Sequence, residues 1–539
     1  MKALHLALLV LAAPLSSQWQ VGVGGTPGRD GRSAAIGPTG PDILWQGSLP
    51  GIVAQQAVVD QGLAIVNRIA SFTIPTGTWI VAHDLATGAE NWKVQLPMNF
   101  GDSWRSRVTG FRDGRVYATR SGNTNAEYLY ALDPADGSIL WQSEDLIIET
   151  TTESVSYTAN GDLITTGITA DGTKVIHRID ATDGSTVWSL PRLCPTSGGC
   201  DIAVHNDRGY YWEPEFGPSC KISVADLTTG TKLYSVVVNA GFVQQLAPFV
   251  GPDGTVYAAR SANNPVSDHL YAYEDTGAGF VEKWSVPIGY IPFANHAIGP
   301  DGSVYAYSRD YTILRLDPAT GATIDESPVY TNAGGGISGR MAVDPSGKLY
   351  FTNGEFPLGK VYCYTPDLQV LWEEPITNVN VGGPAIGADG TLVVCGIGTD
   401  VRAYKSACAG YTLSYGAGCA GSGGFVPDLS ASGCPSPGQT TTLHLSGANG
   451  GAPGLLVLGF AEGALPLAPG CELLVDPAGS VLLALSTGGS GPGAGFADLP
   501  LSLAAGTTTS VEIYGQAFFV DLGVAGFLSS TNGLRLRVE

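Results

Sequence analysis

Charge is scarce in this chain, and positive charge scarcest. Only 14% of the 539 residues are charged, with 27 basic against 48 acidic side chains and a net charge of −21. A phosphate backbone would be repelled by that field, so nucleic acid is not an expected partner. The low charge is not a mark of disorder, because 44% of the chain is hydrophobic and can offset the entropy of ordering it. Histidine is also rare: the seven are His5, His83, His177, His205, His269, His296 and His444. None forms H-E-x-x-H or H-x-H, and G-x-S-x-G is absent, so zinc-peptidase and α/β-hydrolase chemistry has no motif here. The nine cysteines form no C-x-x-C pair, which removes the zinc knuckle, the thioredoxin-like site and the c-type haem attachment. Beyond the first residues no apolar run reaches bilayer-spanning length without Gly, Pro or charge, so no transmembrane segment is expected.

What is present begins with "MKALHLALLVLAAPLSSQ". One base, Lys2, precedes an apolar run and then small residues, the pattern of a secretory signal cleaved near Ser17. Residues 1–17 are thus expected to be removed and residues 18–40 to form a leader. The string "GVGGTPG" at 22–28 lacks the Lys-Ser/Thr of a phosphate loop and reads as flexible. Export makes disulfides expected, with one of nine cysteines left over. Cys194, Cys200 and Cys220 cluster, Cys363 and Cys395 stand apart, and Cys408, Cys419, Cys434 and Cys471 can make two bridges whose connectivity the sequence leaves open.

Gly, Thr, Val and Tyr are abundant and helix-forming runs are few, which points to an all-β chain. One hairpin recurs: "AHDLATGAENWK", "LYALDPADGSILWQ", "HRIDATDGSTVWS", "SVADLTTGTKLYS" and "LRLDPATGATIDE". Its closing residues are Trp45, Trp92, Trp141, Trp188, Tyr234, Trp284, Asp325 and Trp372. A second mark is a turn glycine before an apolar strand: Gly62, Gly114, Gly161, Gly209, Gly254, Gly302, Gly347 and Gly390. These glycines number the copies from first to eighth. A period of roughly 41–52 residues with four strands per copy is that of a propeller blade. The Asp pairs in "DPADG" and "DATDG" read as turn chemistry, since the EF-hand ligand spacing is missing. The two marks are out of phase at the ends. Trp45 has no turn glycine before it, and Gly390 has no Trp after it. Residues 43–48 are therefore expected to pair with 401–404, closing an eight-bladed ring with a shared blade.

The segments Ala82 to Trp92, Ala131 to Trp141 and Arg178 to Trp188, each after a D-G-x-V/L-Y type of strand, resemble the repeat of the PQQ-like β-propeller superfamily. The resemblance covers residues 41–407. It implies a fold shared by quinoprotein alcohol dehydrogenases and by outer-membrane assembly lipoproteins. The dehydrogenases hold pyrroloquinoline quinone with a vicinal Cys-Cys bridge, a stacking Trp and calcium. This chain has no adjacent Cys pair, so no cofactor is expected, and no metal. The lipoproteins carry a lipobox Cys at the cleavage site, whereas the first Cys here is Cys194. By the same analogy, ligands sit over the central channel. The residues that begin each innermost strand become binding candidates: Gln56, Arg107, Asp201, Gln245, His296 and Arg340, with Trp104 and Trp212 as aromatic additions.

From residue 408 the composition turns Gly-, Ala- and Ser-rich. Short alternating runs such as "TTTLHLSG", "GLLVLGF" and "SVEIYGQAFFVD" predict a small β-sandwich over 408–539. "YGAGCAGSGG" and "STNGLRLRV" resemble the ends of a C-terminal module of exported proteins of Planctomycetes-type bacteria. The leading functional expectation is a secreted, periplasmic or surface-held monomer. It would be a non-catalytic scaffold whose loops bind protein or glycan. The alternative is a quinone-dependent dehydrogenase or a glycan-processing enzyme that uses the channel mouth.

Overall fold

The structure is a computed structural model that describes residues 22, 24–53, 56–69, 78–97, 105–121, 126–148, 155–193, 201–213, 220–238, 247–259, 268–288, 295–331, 339–355, 357–377, 379, 382–396, 398–468, 470–502, 510–524 and 526–539. The chain divides into two compact units, Met1–Lys405 and Ser406–Glu539. Among the described residues no helix is long and apolar enough to cross a membrane.

The first unit is a series of antiparallel meanders, the sheet pattern of a β-propeller. The fifth copy shows the plan, with strands Phe249–Val250, Val256–Ala259, His269–Asp275 and Phe280–Pro287 paired in that order. The fourth, sixth and seventh copies repeat it. Local chemistry sets the turns. In the second copy Arg105–Arg112 and Arg115–Ser121 join through Asp113 at φ 50° and Gly114 at φ 72°. Two successive left-handed residues match the twist of a tight hairpin, which is why Asp-Gly recurs there.

The closing tryptophans interlock neighbouring copies. The indoles of Trp92, Trp141, Trp188 and Trp284 lie over the positive-φ glycine in the last hairpin turn of the next copy. A Cβ on Gly137 would fall 2.6 Å from Trp92, and one on Gly184 or Gly230 would fall 2.6 Å from Trp141 or Trp188. Their indole N–H groups also donate to nearby carbonyls of the next copy: Trp92 to Pro134 at 2.7 Å, Trp141 to Ala181 at 3.0 Å, Trp188 to Leu227 at 3.2 Å and Trp284 to Pro318 at 3.0 Å. The repeat thus keeps Gly in one copy to make room for Trp in the one before.

The same lock joins the two ends of the unit. Ile43–Val53 pairs antiparallel with Gly398–Tyr404, with Trp45 opposite Ala403 and Gly47 opposite Val401, the pairing expected from the phase mismatch. Trp45 lies over Gly88 of the first copy and donates to Leu85 O at 2.8 Å. The sixth copy departs from the pattern. Asp325 accepts from Arg315 Nη1 at 2.8 Å, while Arg315 Nη2 reaches Asp301 at 2.7 Å. In the turn it faces, the positive-φ residue is Leu368 rather than Gly.

The leader is not flexible from residue 22 onward, a correction to the sequence reading. Residues 22 and 24–40 form a strap along the first strands of successive copies. Gly22 N donates to Thr109 O, and Val204 N and Ser156 Oγ donate to Pro27 O. Val250 N donates to Gly28 O, Ile298 N to Asp30 O, and Val343 N to Gly31 O. Tyr350 Oη then donates to Pro38 O at 2.9 Å. One short segment meets the second to seventh copies in order, so their first strands surround a common axis.

In the second unit, Asp428–Gly433, Thr440–Gly450 and Gly491–Ser502 form one sheet. Tyr411–Tyr415, Gly533–Val538, Val511–Val520, Pro453–Gly459 and Val481–Ser486 lie in another. Leu429, Leu443 and Leu445 of the first share one core with Leu456, Phe519 and Leu536 of the second. Asn532, within the "STNG" string, ties them by accepting from Leu429 N and donating to Leu429 O. Disulfides join Cys408 to Cys434 and Cys419 to Cys471, while Cys363 and Cys395 are buried thiols of the first unit.

Candidate functional site: the axis of the ring

The strap fixes the register of the inner strands. Val204, Val250, Ile298 and Val343 each donate their N–H to it, so they are equivalent positions. Three residues earlier, just before each strand begins, stand Asp201, Ala247, Asn295 and Arg340. This layer holds the polar side chains at the axis.

Asp201 is buried and paired with a residue of the strap: Arg29 Nη1 lies 3.2 Å from Asp201 Oδ2, with the two side chains 4% and 1% exposed. Arg29 Nε also donates to Ile202 O at 2.9 Å. Arg29 holds a positive φ of 58°, an uncommon backbone conformation for a non-glycine residue, and its guanidinium meets the fourth copy at both contacts. Arg340 enters from the seventh copy and is 0% exposed. Its Nε, Nη1 and Nη2 have no hydrogen-bond partner among the described residues. Burial holds its guanidinium down to about 10, against the pull of Asp201 and Tyr307 and with Arg29 adding repulsion. Gly383 of the eighth copy makes room for it, since a Cβ there would lie 2.1 Å from Arg340 Cβ.

The other candidates do different work. Gln56 is buried and its Nε2 donates to Pro384 O, tying the first copy to the eighth. Asn295 does the same between the sixth and seventh, accepting from Met341 N at 2.9 Å and donating to Met341 O at 3.2 Å. Arg107 is buried at the second copy. His296 lies one place beyond the polar layer and turns to the interface with the fifth copy. Its ring centroid is 5.7 Å from that of Phe249. Among the described residues neither ring nitrogen has a partner, and burial alone pushes its pKa down to about 3, so it is a neutral packing residue. Trp212 is buried among Tyr210, Val250 and Tyr271. Trp104 and Gln245 lie outside the described residues. The structure therefore brings Asp201 and Arg340 together with Arg29, and sets His296 apart. Arg29 escaped the sequence reading because nothing marked a Gly-rich leader as part of a site.

Quinone chemistry, which the superfamily resemblance implies, finds no matching donors among these groups. The axial carboxylate of Asp201 is already held by Arg29. Among the described residues no group of three His, Cys, Asp or Glu could hold a metal ion. Cys363 and Cys395 sit on strands of two neighbouring copies, Lys360–Tyr364 and Leu392–Cys395, inside an apolar cluster. Burial pushes the Cys395 thiol up to about 12 and the Cys363 thiol up as well, away from the thiolate form.

A cleft of about 720 Å³ opens elsewhere, between the fourth and fifth copies, lined by His205, Arg208, Asp253, Asp275 and Lys283. Its central carboxylate, Asp275, accepts from Arg208 at 2.6 Å, from Tyr210 at 2.7 Å, from Tyr234, and from Gly277 N at 2.8 Å. Burial raises Asp275, but these bonds outweigh it and hold the carboxyl below its usual value. A group so fully engaged joins two copies and has little capacity left for a ligand.

Residues 76–327 match the family model described as outer membrane protein assembly factor BamB. Comparison with curated proteins finds no match. Among solved structures, a europium-containing methanol dehydrogenase is similar at 12% identity and TM-score 0.50, over 74% of this chain and 90% of that one. The quinohemoprotein alcohol dehydrogenase of Comamonas testosteroni is similar at 13% identity and TM-score 0.52, over 73% and 81%. BamB of Moraxella catarrhalis is similar at 15% identity and TM-score 0.39, over 67% and 96%. At such identities the likeness to the two dehydrogenases is one of fold, and the first unit of this chain is a β-propeller built of repeats like theirs.

Proposed function

We propose that this protein is an exported, non-catalytic propeller that serves as an interaction scaffold in the cell envelope or outside the cell. In this reading the ring has eight blades, the last completed by the strand with Trp45, and a small β-sandwich follows it. The observation that carries the reading is the strap. The chain's own backbone pairs with the inner edges of the ring, and the charged groups beside it are the Arg29–Asp201 pair and the buried Arg340. The family match, described as an assembly factor, supports a protein partner, and multi-loop surfaces also suit glycans. The two disulfides agree with an oxidising compartment.

Two measurements test the proposal. Tagged mature protein is used to capture partners from envelope fractions, with a heat-unfolded sample as the control. The same protein is incubated with PQQ and calcium and assayed for dye reduction with alcohols. Retention of a discrete partner only by folded protein, and no quinone-dependent dye reduction, are expected. PQQ-dependent reduction would overturn the non-catalytic reading in favour of a dehydrogenase. The C-terminal unit is assigned to retention, and an unchanged location after removal of 408–539 would contradict that role.

A further inference from the structure

Arg340 poses a problem of electrostatics. A guanidinium taken out of water without a partner costs several kcal/mol. Most buried arginines in this chain do have partners: Arg192 donates to Thr166 and to Trp212 O, and Arg535 is held by Glu512. Arg340 is fully buried, yet among the described residues none of its three nitrogens has one. The carboxylate nearest to it in the field, Asp201, is already engaged by Arg29. Arg340, Arg29 and Asp201 together set two guanidiniums against one carboxylate, an excess of one positive charge within this group.

We propose that the axis of the ring is a binding site for one carboxylate group, held by Arg340 opposite the Arg29–Asp201 pair. The inference does not depend on the scaffold reading, since a scaffold or an enzyme could hold such a group. The chemistry of the site selects the ligand class. A planar two-oxygen anion matches the guanidinium fork and can take two parallel hydrogen bonds. One negative charge balances the excess. Phosphate, at about −1.5 near pH 7, would overcompensate and meet the Asp201 carboxylate. The strap supplies the floor through Arg29, and Gly383 leaves the wall open for the Arg340 stem. Away from water these charge-assisted bonds are strong, so exchange is expected to be slow.

The carboxylate can arrive on a small free acid or at the end of a peptide, and the test separates the two. Mature full-length protein is equilibrated with sodium acetate, with sodium phosphate, or with sodium chloride at equal ionic strength. A fourth arm is a short neutral peptide with a free C-terminus, and a fifth its C-terminal amide. Binding is read by calorimetry and by the shift of the thermal midpoint, in wild type and in R340M. Replacing an unpaired buried charge by an apolar chain of similar length is neutral or stabilising, so R340M is expected to fold. Acetate, the free-acid peptide or both should bind wild type at least tenfold more tightly than chloride or phosphate, and R340M should lose that preference. Acetate binding alone assigns the site to free acids. Free-acid peptide binding without acetate binding assigns it to chain ends. Equal responses of wild type and R340M, or no preference of wild type for carboxylate over chloride, would overturn the site. D201N supplies an independent check: with the competing carboxylate removed, phosphate should gain on acetate by several-fold, and an unchanged ratio would contradict the geometry.

Discussion

Replacing Gly137 by Ala tests how the copies are locked together. Two costs arise at this position. The backbone holds φ at 75°, a region that costs an L-residue with a Cβ roughly 1–2 kcal/mol. The new Cβ would also lie 2.6 Å from the Trp92 ring, which is only 7% exposed and tied to Pro134 O at 2.7 Å. The indole must shift, which adds about 1–3 kcal/mol of overpacking and weakens its hydrogen bond. Gly114 in the same copy provides the control. Its φ is 72°, but a Cβ there meets nothing within 4 Å. G114A should therefore show the backbone cost alone, and G137A should exceed it by about 1–3 kcal/mol. In a W92A background the excess should vanish, because the second cost requires the ring. Differential scanning calorimetry reads the ring transition, where each kcal/mol moves the midpoint on the order of 1 °C for a unit of this size. Equal effects of G137A and G114A in wild type, or an excess that persists without Trp92, would refute the interlock.

Other expectations follow from the same contacts. D325W breaks a partly exposed ion pair worth under about 1 kcal/mol and drives an indole toward Leu368, so it should destabilise; D325W with L368G should recover most of the loss in urea titrations. Burial pushes the pKa values of His83, His177 and His296 down, the last to about 3. The unfolded chain takes up these protons first, so stability is full above the unfolded pKa of about 6.5 and falls as pH drops below it. H296F should remove about one proton from that dependence between pH 6 and 4, and an unchanged slope would mean that His296 is protonated when folded. Reducing Cys408–Cys434 and Cys419–Cys471 should cost the 406–539 unit about 3–4 kcal/mol per bridge by loop entropy, visible as a lowered midpoint of its own transition. G31A would place a Cβ 2.7 Å from Ala297 Cβ at φ 70°. Faster hydrogen exchange at the Ile298 and Val343 amides together should follow, and a change at neither would argue against the strap.

The parts of the ring legible in the sequence are those written in short-range chemistry. Asp-Gly before a strand needs only the local φ values, and Gly followed by Trp some four residues later records both halves of one interlock. Even the closing strand could be placed, because a Trp without its turn glycine had to belong elsewhere. The axis was less legible for two physical reasons. Side chains alternate along a strand, so a shift of one residue moves a candidate to the other face. His296 carried that error: its place in the polar layer belongs to Asn295, and His296 packs on Phe249. The strap, in turn, has no periodicity. Its order comes from carbonyls that meet strands over a hundred residues away, and nothing in "GVGGTPGRDGR" announces those partners.

The need for such a strap follows from the architecture. Each copy ends at the axis with an edge strand, and an edge strand presents N–H groups that cannot be left both buried and unpaired. Around a narrow axis no second sheet can cover them. A single Gly- and Pro-rich segment can, since it turns tightly enough to offer Pro27, Gly28, Asp30 and Gly31 carbonyls to Val204, Val250, Ile298 and Val343 in succession. Its far end is fixed more firmly still. Gly37 N donates to Asp344 at 3.0 Å, and Asp344 forms with Lys348 an ion pair in which both side chains are 0% exposed. Once the inner amides are spent on the strap, a ligand at the axis cannot bind by adding a strand. It must be recognised by side chains, and the layer above the strap offers the guanidinium of Arg340 for that purpose.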